Sequence, residues 1–176
     1  MKLDPKLFEA PYFYGRALKS QGRFAEAAKL FERAAAVRPE DFQAPTFLAS
    51  TFESMGLHEE AKAINRRVLK LIDDRLQLNP DDARACNLAA TTHSKLGEAE
   101  PALEFARRSL EIDPDDPMLL YNVACTYSML GKSEDALTCL ERSIDRGFGH
   151  REWIEHDSDF TSIRDTPRFR AILQVM

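Results

Sequence analysis

The sequence predicts an all-α fold, a solenoid of antiparallel helix pairs closed at its C-terminal end by a short helical cap. Three observations carry this expectation. Gly22, Gly56, Gly97 and Gly131 are separated by 34, 41 and 34 residues, and Pro5, Pro39, Pro80 and Pro114 repeat the same three intervals. Five residues after each of those glycines stands an alanine (Ala27, Ala61, Ala102, Ala136), and seven before it stands a Gly or Ala (Gly15, Ala49, Ala90, Ala124). Self-similarity at such a period marks a stacked array in which each repeat is one supersecondary unit.

Taken in order, residues 1–7 read as the tail of a preceding unit, because Pro5 stands 34 residues before Pro39. Residues 8–41 form the first unit. Tyr14 and Leu18 flank Gly15 at helical spacing, Gly22 breaks the chain between two helices, and "RPED" stops the second, because proline cannot continue a helix. Residues 42–82 form the second unit, with Leu48 and Phe52 on the first helix. Here Gly56 to Pro80 is 24 residues, against 17 in the first and third units, so the second helix carries seven extra residues. Seven residues turn a helix by about 700° and lengthen it by about 10 Å. The stripe Ile64, Val68, Leu71, Ile72 and Leu76 therefore keeps its face, and the helix is expected to project about two turns beyond its neighbours. Residues 83–116, with Cys86 and Ala89, and 117–148, with Leu120, Val123 and Tyr127, complete the array, the last unit ending on "RGFGH" in place of a proline. Asp41, Asp82 and Asp116 stand where N-caps are needed, the last followed by Pro117 at the first helical position. Residues 149–176 read as capping helices: Trp153, Ile154, Phe160, Ile163, Phe169, Ile172 and Leu173 recur at spacings suited to a lid, and Thr166 with Pro167 opens the last helix.

Composition narrows the function. A hydrophobic share of 44% and a charged share of 30% suit a soluble globular chain. A net charge of −5 and a pI near 5.4 supply no field for phosphate backbones, so no nucleic-acid partner is expected. Cys86, Cys125 and Cys139 include no C-x-x-C pair and read as reduced, buried thiols, which suits a cytoplasmic location. "MKLDPKLFEA" holds no apolar h-region and no run is long enough to span a membrane, so no membrane association is expected. There is no G-x-x-x-x-G-K-[ST] loop, G-x-S-x-G elbow or H-E-x-x-H helix, and the expectation is a non-enzyme without cofactor. The competing segment is 149–173, where His150, Glu152, Glu155, His156, Asp157 and Asp159 are residue types that ligate metals or move protons. His150 and His156 are six apart, a poor spacing for one helix face, so these charges are read as the wet outer surface of the cap. A small metal-dependent enzyme built on that cluster, and an RNA-binding helical repeat, remain the alternatives.

The repeat resembles the tetratricopeptide repeat (TPR) family from residue 8 to about 146. The resemblance is fullest in "PYFYGRALKSQGRFAEAAKLFERAAAVRPED", where Gly15, Leu18, Gly22, Phe24, Ala27, Phe31, Ala34 and Pro39 match, and weakest at Asn65, Cys86 and His93. It implies a right-handed superhelix whose first helices line a concave, peptide-binding face. Matched to that family, the groove would be lined by Tyr12, Arg16 and Lys19 of the first unit, with Glu9 beside them, and by Gln43, Thr46, Ser50 and Glu53 of the second. Arg84, Asn87, Thr91 and Lys95 would follow from the third, and Tyr121 and Asn122, with Met118 and Cys125, from the fourth. Arg16, Lys19, Arg84 and Lys95 would suit an acidic segment or a terminal carboxylate. The two-carboxylate clamp of chaperone-binding TPR domains is not matched, since its places hold Tyr12, Arg16, Phe47, Arg84 and Leu88, or one unit along Thr46, Ser50, Leu88, Met118 and Asn122. The tail "GFGHREWIEHDSDFTSIRDTPRFRAIL" resembles the ending of bacterial multidomain signalling proteins in which a TPR array follows a nucleotide-cyclase, protein-kinase, TolB-like or DNA-binding domain. That resemblance implies a regulatory fragment of a larger protein, whose partner is a peptide, another protein or a neighbouring domain of the parent chain. Phe8, Tyr12, Phe13 and Tyr14, with no complete helix before them, are expected to let the N-terminal edge self-associate weakly.

Overall fold

The computed structural model describes residues 7–176, so the expected tail of a preceding unit, with Pro5, falls outside the described residues except for Leu7. Among the described residues the chain is all helical, with ten α-helices, one 3₁₀ turn and no strand. It forms two compact units, residues 1–74 and 75–176. The first holds α1 (Glu9–Ser20), α2 (Phe24–Val37), α3 (Gln43–Ser54) and most of α4 (His58–Leu78). The second holds the last turn of α4, then α5 (Ala83–Lys95), α6 (Ala99–Ile112), α7 (Pro117–Met129) and α8 (Ser133–Asp145), followed by α9 (Arg151–His156), a 3₁₀ turn at Ser158–Phe160 and α10 (Pro167–Gln174).

The turn inside each helix pair is set by its glycine. Gly22 sits at φ 75°, a left-handed conformation that only glycine adopts without strain, and it lets the Arg23 amide reach the Leu18 carbonyl at 2.9 Å. The same 6→1 bond recurs as Leu57 to Phe52, Glu98 to His93 and Lys132 to Tyr127, at 2.9, 2.9 and 2.8 Å. Phe148 to Ser143, at 3.0 Å over Gly147, is a fifth copy, so "RGFGH" closes α8 with the turn used within a pair rather than between pairs.

Helix starts differ for a reason that lies in proline. Asp82 accepts the Ala85 amide at 3.0 Å, and Asp116 accepts those of Met118 and Leu119 at 2.8 and 2.9 Å, both as N-caps. Asp41 does not hold the corresponding place: Phe42 is the N-cap of α3, and Asp41 accepts only the Gln43 amide, at 2.8 Å. Cys86 and Leu120 donate the first helical bond back to Asp82 and Asp116, but Pro45 stands at that register in α3 and has no N–H. The first bond therefore shifts to Thr46 and Phe42, and Pro11 shifts α1 in the same way, to Tyr12 and Phe8. α4 runs for 21 residues, whereas α2 and α6 have 14 each.

A second link recurs with the repeat. Arg108 of α6 donates to the Pro80 carbonyl, and Arg142 of α8 to the Pro114 carbonyl at 2.9 Å, each spanning 28 residues. These guanidinium groups satisfy the carbonyl at the proline stop of the preceding pair.

In the first unit the core gathers around Phe31, with Tyr12, Leu18, Ala27, Ala34 and Leu48. Gly15 faces it closely: a Cβ there would lie 2.9 Å from the Phe31 ring. In the second unit Leu137, Leu140 and Val123 run without a break into Ile154, Phe160, Ile163, Phe169 and Ile172, so the cap shares one core with α7 and α8. Thr166 caps α10 by accepting the Phe169 amide at 3.2 Å, with Pro167 at its first position. Trp153 is the exception among the expected lid residues. It remains 50% exposed and stacks on His150, with centroids 4.5 Å apart, because Ile154 takes the buried side of the six-residue α9.

Candidate interaction surfaces

On the first unit, α1 and α3 make an aromatic bed bordered by cations. The Tyr12 hydroxyl donates to Gln43 Oε1 at 3.2 Å, and its ring meets Phe47 edge-on at 5.6 Å. Phe47 in turn stacks on Phe31 at 5.5 Å. The exposed Arg16 guanidinium lies 5.2 Å from the Phe47 centroid and 5.7 Å from that of Tyr12, a cation–π arrangement. Lys19 donates to Ser50 Oγ at 2.7 Å and lies 5.9 Å from the Phe47 centroid. Beside this bed Phe13 and Tyr14 are exposed. Glu9 pairs with Arg38 at 2.6 Å.

On the second unit the first-helix residues divide into seam and surface. Asn87 is buried and donates to the Leu119 carbonyl at 3.3 Å, tying α5 to α7, and Thr91 shares a 3.3 Å hydroxyl contact with Thr126. Arg84 is exposed, while Lys95 and Asn122 are half-buried. Tyr121 is buried beneath the cap: Phe148 stacks on it at 4.4 Å, Phe160 meets it edge-on, and its hydroxyl donates to Asp157 Oδ2 at 2.5 Å. Burial holds the Tyr121 phenol and the Cys125 thiol well above their usual ranges, so both stay protonated and face the carboxylate as donors.

Of the nine residues expected in a groove, Tyr12, Asn87 and Tyr121 are thus buried and bonded within the fold, for one reason. Each lies where its helix meets the next element along, and a polar side chain there is satisfied by that neighbour. Arg16 and Arg84 are the exposed members, with Lys19, Thr91, Lys95 and Asn122 partly so.

The metal ligands considered from sequence are not brought together as a set. His150 packs on Trp153 and Phe148. Among the described residues the one candidate group is Cys125, Asp157 and Asp159, whose ligand atoms lie within 4.8 Å of one another. Asp157 is already engaged at both oxygens: Oδ1 accepts the Asp159 amide at 2.9 Å, capping the 3₁₀ turn, and Oδ2 accepts from Tyr121. Arg164 Nη2 holds the Asp157 carbonyl at 2.6 Å. Asp157 reads as the latch of the cap on α7, a role hidden in sequence because nothing local pairs it with Tyr121, 36 residues away.

Among the described residues no helix is long and apolar enough to cross a membrane. Comparison with known proteins found no match among curated sequences. Solved structures do resemble the chain. That of the APC/C hetero-tetramer Cut9–Hcn1 is 16% identical over 89% of this chain and 29% of that one, with a TM-score of 0.61. TTC0263, a thermophilic TPR protein of Thermus thermophilus, is 20% identical over 96% and 100% of the two chains, with a TM-score of 0.48. YrrB, a TPR protein with an unusual peptide-binding site, is 17% identical over 82% and 89%, with a TM-score of 0.42. Models of the tetratricopeptide repeat match residues 18–75, 83–116 and 105–138. Those stretches together span more than half of the chain, over the glycine turns and paired helices, and the chain belongs to the tetratricopeptide repeat family.

Proposed function

We propose that this chain is a non-catalytic interaction module, a cytoplasmic regulatory piece of a larger bacterial signalling protein, that docks an extended acidic segment on its first-helix surfaces. The segment belongs to a separate protein or to a neighbouring domain of the parent chain. TPR arrays are protein-interaction scaffolds and are typically non-catalytic, which supports the general reading. The observation that carries the particular one is the Arg16 guanidinium held 5.2 Å from the Phe47 centroid, exposed, beside Lys19. A cation over an aromatic face is positioned at little entropic cost and offers its fork edge to a carboxylate. On the second unit, taken by itself, Arg84 is the exposed cation of α5.

The test is an array of synthetic peptides, acidic against neutral and with free against amidated C-termini. Acidic members should bind, and Arg16→Ala should weaken them by about tenfold, or about 1.4 kcal/mol, close to the lower end for one hydrogen bond to a charged group. Binding that is indifferent to peptide charge, or unchanged by both Arg16→Ala and Arg84→Ala, removes this assignment. Asn87 is unsuited to the test, because its loss breaks the bond to Leu119 within the fold. The exposed Phe13 and Tyr14 support weak self-association of the N-terminal edge, which sedimentation at rising concentration checks. The acidic balance weighs against a nucleic-acid ligand.

A further inference from the structure

One helix face that is covered elsewhere in the molecule lies open on α1. Ala10, Tyr14 and Ala17 share it, at spacings of four and three. Advancing 34 residues carries them to Ala44, Leu48 and Thr51 of α3, and a further 75 to Leu119, Val123 and Thr126 of α7, all of them buried. On α1, by contrast, Ala10 is half-buried, Ala17 is exposed and Tyr14 is 53% exposed. Beside them a cleft of about 300 Å³ runs between α1 and α2 over Leu18 and Leu30, with Lys29 at its border.

Where this face is covered, the molecule itself shows by what. In each unit it is the second helix of the preceding pair, α2 against α3 and α6 against α7. Two apolar residues four apart carry the contact, Phe31 and Ala35 on α2 and their counterparts Ala106 and Leu110 on α6. Their sizes follow the face beneath. Phe31 stacks on Phe47 at 5.5 Å, whereas Ala106 goes with Asn122 in the place of Phe47. Ala35 lies beside the larger Leu48, and Leu110 goes with the smaller Val123. In the register of Phe47, α1 has Phe13, 58% exposed, and in that of Leu48 it has Tyr14, so its face matches a cover like α2 rather than one like α6.

We propose that this face of α1 docks an amphipathic α-helix of another protein, built on the pattern of α2: an aromatic residue to stack on Phe13 and a small residue four positions later against Tyr14. A helix suits an apolar face because its backbone groups are paired within it, whereas an extended segment would bring unpaired ones. Charge adds a third element. Lys29 is exposed and forms no hydrogen bond or ion pair among the described residues. On α2 the residue after Phe31 is Glu32, which lies beside Leu48 and Ile64, the counterparts of Tyr14 and Leu30, so an acid in that place of the docked helix meets Lys29. The docked helix shares its open edge with the weak self-association proposed above, and displaces it.

The test titrates the full chain into a labelled, end-blocked peptide of residues 24–38, the α2 sequence, at a protein concentration where sedimentation shows a monomer, and follows fluorescence anisotropy. Saturable one-to-one binding is expected. Phe31→Ser in the peptide should weaken it by about tenfold or more, and Glu32→Lys in the peptide by about threefold at low salt. Lys29→Glu in the chain should reverse the effect of Glu32→Lys. Ala17→Arg in the chain should abolish binding while the thermal midpoint is unchanged, because Ala17 is exposed, which separates a blocked face from a misfolded chain. Absence of saturable binding, equal binding of the Phe31→Ser peptide, or binding undiminished by Ala17→Arg would overturn the proposal. So would a self-associated chain that the peptide does not dissociate, since the occupant would then be a second copy.

Discussion

Arg168 grips Glu141 with both edges of its guanidinium, Nε to Oε1 at 2.8 Å and Nη2 to Oε2 at 2.5 Å, and so fastens α10 to α8. Its remaining nitrogen reaches Glu134 Oε2 at 2.8 Å, and Nη2 also meets Thr138 Oγ1 at 3.1 Å. A forked pair with further partners lies at the strong end of surface ion pairs, yet the Arg168 and Glu141 side chains stay 36% and 39% exposed, and solvent screens them. Arg168→Ala is therefore expected to destabilise the cap by about 1 kcal/mol, and Arg168→Lys to recover little, since a single ammonium cannot make the fork. Urea unfolding followed through Trp153 fluorescence checks this, because the only tryptophan lies in the cap.

The same pair sets a pH dependence. The Arg168 hydrogen bond holds the Glu141 carboxyl below its ordinary value of 4.5, outweighing the opposing effect of burial, and the guanidinium charge adds to it. A carboxyl more acidic in the folded than in the unfolded chain contributes stability above the unfolded value and loses it as pH falls through the folded one. The difference in stability between the native protein and Arg168→Ala should accordingly be constant from about pH 6 to 8 and shrink below about pH 4.5. A difference that persists at pH 3 would assign the effect to packing of the arginine stem instead.

Much of the fold was legible because it rests on local chemistry. Gly22, Gly56, Gly97 and Gly131 stand out in sequence since a left-handed turn excludes side chains, and Asp82, Asp116 and Thr166 since a cap needs an oxygen at one place. Asp41 failed as a cap because the decisive residue, Pro45, lies four positions on and acts by lacking a hydrogen. Tyr121 and Asn87 carried a helix-face signal that is the same whether the neighbour is solvent or another element, and periodicity within one helix does not say which returns to cover it. The arginine links were in plain view and overlooked: Arg67, Arg108 and Arg142 each follow a repeat proline by 28 residues. Exposed charge carries no marker of its partner until the proline carbonyl is placed beside it.

Gly15→Ala should destabilise the first unit although helix propensity favours the change. Alanine in a helix is worth about 1 kcal/mol over glycine, but the new Cβ would lie 2.9 Å from Cε1 of Phe31, a fully buried ring that stacks on Phe47 and meets Tyr12 edge-on. Overpacking of this kind costs about 1–3 kcal/mol, so a net loss of about 1 kcal/mol is expected. At the corresponding places of the other units Ala49, Ala90 and Ala124 are matched with Asn65, Ala106 and Leu140, all smaller than Phe31. Gly15→Ala combined with Phe31→Leu should therefore lose less than the sum of the two single changes. Strict additivity in thermal unfolding would show that the two positions do not press on each other.

Asp116 and Asp41 occupy one register of the repeat, yet their removal should have unequal effects. Asp116 accepts two amides of the first turn of α7, with Pro117 fixing the backbone between the cap and those amides. Asp41 accepts one amide ahead of a helix whose N-cap residue makes no side-chain bond, and Pro45 has already removed one of the donors such a cap would satisfy. Asp116→Ala is expected to lower stability by about 1–2 kcal/mol and Asp41→Ala by about 0.5 kcal/mol or less. Asp116→Asn should preserve most of the cap, because an amide oxygen accepts the same N–H groups. Guanidinium unfolding of the three variants distinguishes this from a charge effect: equal losses for Asp116→Ala and Asp116→Asn would mean that the carboxylate acts through its field on the helix end, not through the two hydrogen bonds.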